Sequence, residues 1–245
     1  VVLIGGLVLT GCATVQAPPE LVKAIEDGNV GLVESIVEEN PQYVNVDVGR
    51  YPYTTLNIAV AHGQVEIAQL LIDKGASVNA KVKGPWEGEW TALHLAVGYF
   101  GPAEPNMEMM RHMEMMRLLS TNGANVNAKD DDGRTPLHWA IIQPQKQKAQ
   151  FLIANGANVN AKDNHGYTPL IRASGNVRVG LGDKGVYRPN KDMLEDMIRI
   201  LINNGADVNV KTRKCKPLHF AAAEGLKELA EFLVAKGANI NTKVA

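Results

Sequence analysis

Cysteine is scarce: Cys12 and Cys215 are the two in 245 residues, too few for a disulfide framework. Charge of one sign is missing as well. The 25 basic and 26 acidic side chains leave a net charge of −1, whereas a nucleic-acid binder shows a marked basic excess. No HExxH, GxSxG or CxxC occurs, and no pair of acids stands out, so catalysis has no visible residues to carry it. The apolar opening, VVLIGGLVLTGC, is shorter than the roughly 20 apolar residues that span a bilayer as a helix.

What the chain does have is recurrence. The stretch GANVNAKDDDGRTPLHWAIIQPQKQKAQFLIANG runs from Gly123 to Gly156, and the next unit opens with GANVNAKDNHGYTPL. Thr135 is placed to cap a helix, and Pro136 follows at the first helical position, where its missing N–H costs nothing. Leu137 and Ala140 begin an apolar stripe, Pro144 breaks the chain, and a second helix is expected from about Gln147 to Ala154. Gly156 supplies the left-handed residue that closes it. The polar NAKDDDGR reads as a hairpin leading into the next unit.

This pattern resembles the ankyrin repeat, whose TPLHxA signature stands here as Thr135, Pro136, Leu137, His138 and Ala140. The resemblance covers the chain from about Leu21 to its C-terminal end. It implies an all-α solenoid of about six stacked helix pairs with short β-hairpin fingers. The first pair, LVKAIEDGNVGLVESIVEENP, has no preceding hairpin. Glu26, Asp27, Glu34, Glu38 and Glu39 would keep its outer surface wet, as a terminal repeat requires. Later units open at Thr54, Thr91, Thr135, Thr168 and Lys216. Their closing glycines, Gly75, Gly123, Gly156, Gly205 and Gly237, are 48, 33, 49 and 32 residues apart.

Two long spacings therefore alternate with two ordinary ones. Part of the excess enlarges one finger to KVKGPWEGEW, with Trp86 and Trp90. The rest falls between the helices of a pair, within GYFGPAEPNMEMMRHM and within SGNVRVGLGDKGVYRPNKD. Both helix-to-helix insertions are expected on the edge opposite the fingers. They form either one bipartite surface or neutral loop growth, which surface loops tolerate cheaply.

Several motifs compete for a chemical reading. His94, His138 and His219 occupy the fourth position of the signature, where the resemblance implies hydrogen bonds tying neighbouring units together. His62 and His165 fall at turns and read as surface residues. Gly180, Gly182 and Gly185 spell GxGxxG, but a dinucleotide site needs a strand before and a helix after, and Pro189 forbids an immediate helix. In MEMMRHMEMMR, Met109, His112, Met113 and Met116 share a helical face and would suit Cu(I). Met115 and Met116, however, align with the apolar pair that every second helix buries. The self-copy MEMMRH/MEMMRL reads as a duplication that lengthened this helix. In KTRKCKP, Lys211, Arg213, Lys214 and Lys216 make either a small cationic tip or a solvated loop around Cys215.

The opening segment is separate. Residues 1–11 fit the h-region of a signal peptide without its basic n-region or initiator methionine, so we expect a leader clipped at its N-terminus. Leu9, Thr10, Gly11 and Cys12 resemble the lipobox of bacterial lipoproteins. That resemblance implies cleavage before Cys12 and lipidation of it, with Ala13 favouring the outer membrane facing the periplasm. Residues 12–20, with Pro18 and Pro19, would tether the domain 21–245 close to the lipid surface.

Ankyrin arrays bind proteins through hairpin tips and the concave face of the first helices. Carried onto this chain, that implies a partner-binding set of Trp86, Trp90, Tyr99, Trp139, Tyr167 and Arg172, aromatic and arginine side chains of the kind that dominate interfaces. Each also has a structural use open to it, Trp139 between first helices and Trp90 against the hairpin. The expectation is a non-enzymatic lipoprotein of the bacterial envelope that binds a protein and uses no cofactor, metal, nucleic acid or small-molecule substrate. It would serve as a scaffold or stabiliser. The alternatives are an inhibitor or immunity-type protein occluding a toxin or hydrolase and, more remotely, soft-metal binding through the Met-rich helix.

Overall fold

The computed structural model describes residues 16–46, 48, 53–83, 88–98, 105–143, 145–174, 191–210 and 216–241, with side chains from 109 onward in the helix that begins at Pro105. Twelve α-helices lie among them: α1 (Pro19–Glu26), α2 (Val30–Glu39), α3 (Thr55–Ala61), α4 (Val65–Asp73), α5 (Ala92–Gly98), α6 (Pro105–Thr121), α7 (Pro136–Ile142), α8 (Lys146–Ala154), α9 (Pro169–Ser174), α10 (Lys191–Asn203), α11 (Pro217–Ala223) and α12 (Lys227–Ala235). Odd and even helices pair in order. The odd helices pack on one another along the array, and successive even helices line up behind them. None of these helices is long and apolar enough to cross a membrane.

Local sequence explains the boundaries of the fourth pair. Helix α7 begins with a capping box: the Thr135 N–H donates to His138 Nδ1 at 3.1 Å, and the hydroxyl lies 3.0 Å from the same nitrogen. Pro136 at the first helical position fits there because its ring presets φ and no N–H is needed. Gly156 closes α8 at φ 87°, a backbone region that an L side chain enters only with strain. Its N–H donates to Ile153 and that of Ala157 to Leu152, satisfying carbonyls that the helix end would leave bare. The helix itself starts at Lys146, one residue before the expected Gln147.

The core is one apolar seam running the length of the stack. Leu21, Leu56, Leu93, Leu137 and Leu170 of the odd helices, and Val33, Leu71, Leu119, Leu152 and Leu233 of the even ones, are almost wholly buried. Burying each is favourable by about 1.5–3 kcal/mol, and a pair on its own would leave part of this apolar surface uncovered. This is why the pairs stack rather than fold separately.

Two expectations change. Ala17 is buried in the core cluster, Pro18 is the N-cap of α1, and Pro19 and Glu20 are in its first turn. The tether expected to reach residue 20 therefore gives way to folded structure, because Pro19 at the helix start is preset to nucleate it. Among the described residues one finger is a β-hairpin, pairing β1 (Val82–Lys83) with β2 (Glu89–Trp90) in antiparallel register. The fingers at 130–134 and 163–167 are tight turns instead. Each is closed by a hydrogen bond from the first residue N–H, Asp130 to Arg134 and Asp163 to Tyr167, and too few residues flank the turn to extend a ladder.

Met115 and Met116 are fully buried, as the register with other second helices implied, and α6 has 17 residues where α4 and α8 have 9. Residues 99–104 and 175–190, which carry most of the two insertions, lie outside the described residues. So do Cys12, the GxGxxG glycines and residues 211–215 of the basic stretch.

Candidate protein-binding surface

Along one edge a row of asparagines ties the units together. The side chains of Asn45, Asn79, Asn127, Asn160 and Asn209 donate to the carbonyls of Gly75, Gly123, Gly156, Gly205 and Gly237, each at 2.9–3.0 Å. Their Oδ1 atoms accept from the backbone two residues beyond, at Ser77, Asn125, Asn158, Asp207 and Asn239. The repeated letters GANVN show these asparagines in the sequence. Their use appears only once the units are stacked, because each bond crosses to the next one.

Histidines link the fingers to the first helices. His94 Nε2 lies 3.2 Å from the carbonyl of Arg134, and His138 Nε2 lies 3.1 Å from that of Tyr167. In both, Nδ1 accepts a backbone N–H from Thr91 or Thr135, which puts the ring proton on Nε2, facing the carbonyl. Burial dominates both rings and pushes their pKa down to about 4, with the hydrogen bond donated to the carbonyl offsetting only part of it. His112, buried on α6 and facing the charge of Lys148, is lowered to about 4 as well. The sixth unit departs from this pattern. Lys216 stands where the others have threonine and makes no side-chain cap, and His219 Nδ1 is buried without a hydrogen-bond partner.

These imidazoles set a pH dependence. An unfolded histidine titrates near 6.5, so between pH 6.5 and 4 the unfolded chain takes up protons that the folded chain refuses. Stability is full above pH 6.5 and falls as the pH drops through this window, by about 1.4 kcal/mol per pH unit for each imidazole. Urea unfolding midpoints measured between pH 7.5 and 4.5 are expected to decline with a slope that flattens when His94 and His138 are replaced.

Two adjacent fingers solve one packing problem in two ways. Asp130 Oδ1 accepts from the Arg134 N–H at 2.7 Å, and Oδ2 accepts from Trp139 Nε1 at 2.9 Å. Desolvation raises the Asp130 carboxyl above its usual range, against those hydrogen bonds. In the next unit Asp163 Oδ1 accepts from the N–H groups of His165 and Tyr167, and its Oδ2 is held by the Arg172 guanidinium. Burial there pulls the Asp163 carboxyl upward, but the Arg172 hydrogen bond and the backbone donors outweigh it and hold it below the usual range. The cation and ring exchange places between the units. The Arg134 guanidinium lies 5.2 Å from the Trp139 ring, and that of Arg172 lies 5.0 Å from the Tyr167 ring.

This geometry corrects part of the expected interface. Trp90 is fully buried with its ring 4.6 Å from that of Trp139, and Trp139 is itself 2 % exposed. The Arg172 side chain is 4 % exposed, spent on Asp163. Trp90, just before Thr91, and Trp139 and Arg172, each fifth in its signature, thus have their side chains inside the array rather than on its surface. Tyr167 is half-buried and keeps an accessible side, while Trp86 and Tyr99 lie outside the described residues.

What is exposed is the row of finger tips: Glu89, Asp131, Asn164 and His165, with Asp132 half-exposed. The tips are docked on one another. Asn164 N–H donates to the Asp132 carbonyl at 2.8 Å and its side chain to the Asp131 carbonyl at 2.6 Å. A Cβ at Gly133 would lie 2.8 Å from the Asn164 nitrogen, so glycine is needed for the tips to touch. Among the described residues no group of three His, Cys, Asp or Glu is placed to hold a metal ion.

Helix pairs stacked on a common seam, with a finger row on one side and an asparagine ladder joining the units, define a repeat solenoid of the kind that displays a surface rather than enclosing a pocket. The chain belongs to the ankyrin repeat family: the sequence model for ankyrin repeats matches residues 21–104, 107–180 and 190–244, and the single-repeat model matches 165–213. Ankyrin repeats in general mediate protein–protein interaction and are not catalysts.

Among curated proteins the chain is 26 % identical over 231 residues to a probable E3 ubiquitin-protein ligase of Oryza sativa subsp. japonica, covering 94 % of this chain and 40 % of that one. It is 28 % identical over 134 residues to a putative ankyrin repeat protein of Fowlpox virus, covering 54 % of this chain and 27 % of that one. The chain thus spans less than half the length of these relatives. Among solved structures it superposes on the ankyrin repeat domain of Bcl-3, a member of the IkappaB protein family, with a TM-score of 0.73 and 26 % identity, covering 94 % of this chain and 91 % of that one. An ankyrin repeat domain from Acinetobacter baumannii shares the fold, with a TM-score of 0.69 and 23 % identity over 89 % of this chain and 98 % of the other.

Proposed function

We propose that this protein is a non-enzymatic, lipid-anchored binding module of the bacterial envelope that uses its finger row to hold another protein. The observation carrying the binding role is the docked tips. Asp131, Asp132 and Asn164 are fixed by hydrogen bonds before any partner arrives, so little ordering entropy opposes association. The exposed side chains there, with the free side of Tyr167, give a mixed surface of acid, amide, imidazole and phenol. The membrane address rests on the resemblance of Leu9 to Cys12 to a lipobox, with the apolar segment before it. One lipid-modified end would keep the array near the outer membrane and its partner with it, as a scaffold or stabiliser does.

Crosslinking in envelope membranes, followed by recovery of the lipidated protein, tests both parts. A variant carrying Asp131→Arg, His165→Ala and Tyr167→Ala is expected to lose at least ten-fold in recovery of the specific partner at unchanged expression. Equal recovery would remove the finger row from the interface. Cys12→Ala is expected to release the protein from membranes; retention there, or an unmodified Cys12 by mass spectrometry, would overturn the lipid anchor. A partner enzyme silenced by stoichiometric addition would make the protein an inhibitor instead of a scaffold.

A further inference from the structure

We propose that Met109, His112 and Met113, on and beside the added turns of α6, form a binding site for a soft monovalent metal ion, Cu(I) or its analogue Ag(I). Helices α4, α8 and α12 each begin ten residues before their closing glycine, at Val65, Lys146 and Lys227. Counted the same way α6 would begin at Met113, so residues 105–112 are helix with no counterpart in those units. The core work of α6 is done further along. Met115, Met116 and Leu119 are wholly buried, which removes Met116 from the four residues that share a helical face. Met109 and Met113 are half-buried, and Met110 is 73 % exposed.

The copies MEMMRH and MEMMRL differ at a single letter, His112 against Leu118. The two side chains are 6 % and 9 % exposed, and leucine meets such burial with no polar atom. The imidazole brings two nitrogens, and among the described residues neither has a hydrogen-bond partner. His94 and His138, by contrast, engage both. A desolvated imidazole is neutral and offers one nitrogen lone pair, which no described residue takes up.

Residues three and four apart on a helix have Cβ atoms about 5–6 Å from each other, which is the spacing of Met109, His112 and Met113. A thioether on three rotatable bonds adapts readily to close that distance. Thioether sulfur and imidazole are the donors that suit soft Cu(I). No carboxylate belongs to the set, so a hard divalent ion finds no matching ligand. The neighbouring charge points the same way. Lys148, 1 % exposed, faces His112, and its Nζ donates to the carbonyls of Ala96 and Val97 at the end of α5, each at 3.0 Å. Its field opposes any cation, but a divalent ion about twice as strongly as a monovalent one. Neutral donors beside a fixed positive charge thus select a single-charged soft ion. Met110, three residues before Met113, offers such an ion a first thioether at the surface.

The test uses the full chain carrying Cys12→Ser and Cys215→Ser, because free thiols bind the same ions. Anaerobic titration with Cu(I) against a chromophoric chelator is expected to show a single ion bound with a Kd below about 1 μM, and Zn(II) is expected not to bind at that level. Two variants then locate the site. Met109→Leu with Met113→Leu removes both sulfurs at similar volume, and His112→Leu installs the residue of the second copy. Each is expected to weaken Cu(I) binding about ten-fold or more with helical circular dichroism unchanged. Should a variant not fold, NMR of the thiol-free chain decides. Ag(I), which is redox-inert, is expected to shift the Met109 and Met113 methyl resonances and to leave those of Met193 and Met197 in place. Cu(I) binding weaker than about 1 μM, undiminished binding in the folded leucine variants, tighter binding of Zn(II), or shifts at other methyls instead would each overturn the site.

Discussion

Truncating Trp90 to alanine is expected to destabilise the protein by about 3–5 kcal/mol, a large part of the 5–15 kcal/mol that holds a typical domain together. The indole is fully buried and tilted at 50° against Trp139, with their centroids 4.6 Å apart. It also lies under Gly98, where an added Cβ would come within 2.9 Å of Cζ3. The ring therefore fills a space bounded by backbone on one side and a second indole on the other, and neither can collapse into the vacancy. Trp90 Nε1 has no hydrogen-bond partner, so Trp90→Phe forfeits area but no bond and is expected to recover most of the loss. Trp139→Phe is different. It removes the donor that Asp130 Oδ2 uses and leaves a buried carboxylate oxygen unpaired, adding about 1–3 kcal/mol to the packing loss. Urea unfolding followed by far-UV circular dichroism separates the three variants. Near-equal costs for Trp90→Phe and Trp139→Phe would contradict this account.

The same two tryptophans show what the letters reveal and what they hide. Thr135, Pro136 and Gly156 act through their own backbone, so a helix start and a helix end were legible from local sequence alone. His138 was legible as a tie between units because its position in the signature fixes its direction. Whether Trp90 faces water or the seam is set by how neighbouring units stack, which no single unit encodes. Tryptophan also suits a core and an interface equally well. Lys148 is hidden for the opposite reason: nothing in the polar stretch QPQKQKAQ sets this lysine apart from its neighbours. Its burial makes sense only beside the end of a helix about fifty positions earlier. Arg172 misled likewise, since its carboxylate partner sits in the finger and not on its own helix.

That pair carries the second large effect. Asp163→Ala would leave the guanidinium of Arg172, 4 % exposed, without its carboxylate, and breaking a buried pair by removing one partner typically costs about 3–5 kcal/mol. It would also strip two acceptor bonds from the His165 and Tyr167 N–H groups, so the finger tip should loosen together with the core beneath it. The preceding unit supplies the control. There Asp130 is satisfied by an indole N–H instead of a guanidinium, with an arginine at the position that Tyr167 occupies. Arg172→Trp alone gives Asp163 a neutral donor but sets the indole against the phenol. Adding Tyr167→Arg recreates the whole arrangement of the neighbour. The double variant is expected to be more stable than Arg172→Trp, and both should exceed Asp163→Ala by at least about 1.5 kcal/mol, the strength of a hydrogen bond to a charged group. If Asp163→Ala proved the mildest of the three, the pair would be an incidental contact, and the finger would owe its rigidity to the Asn164 bonds alone.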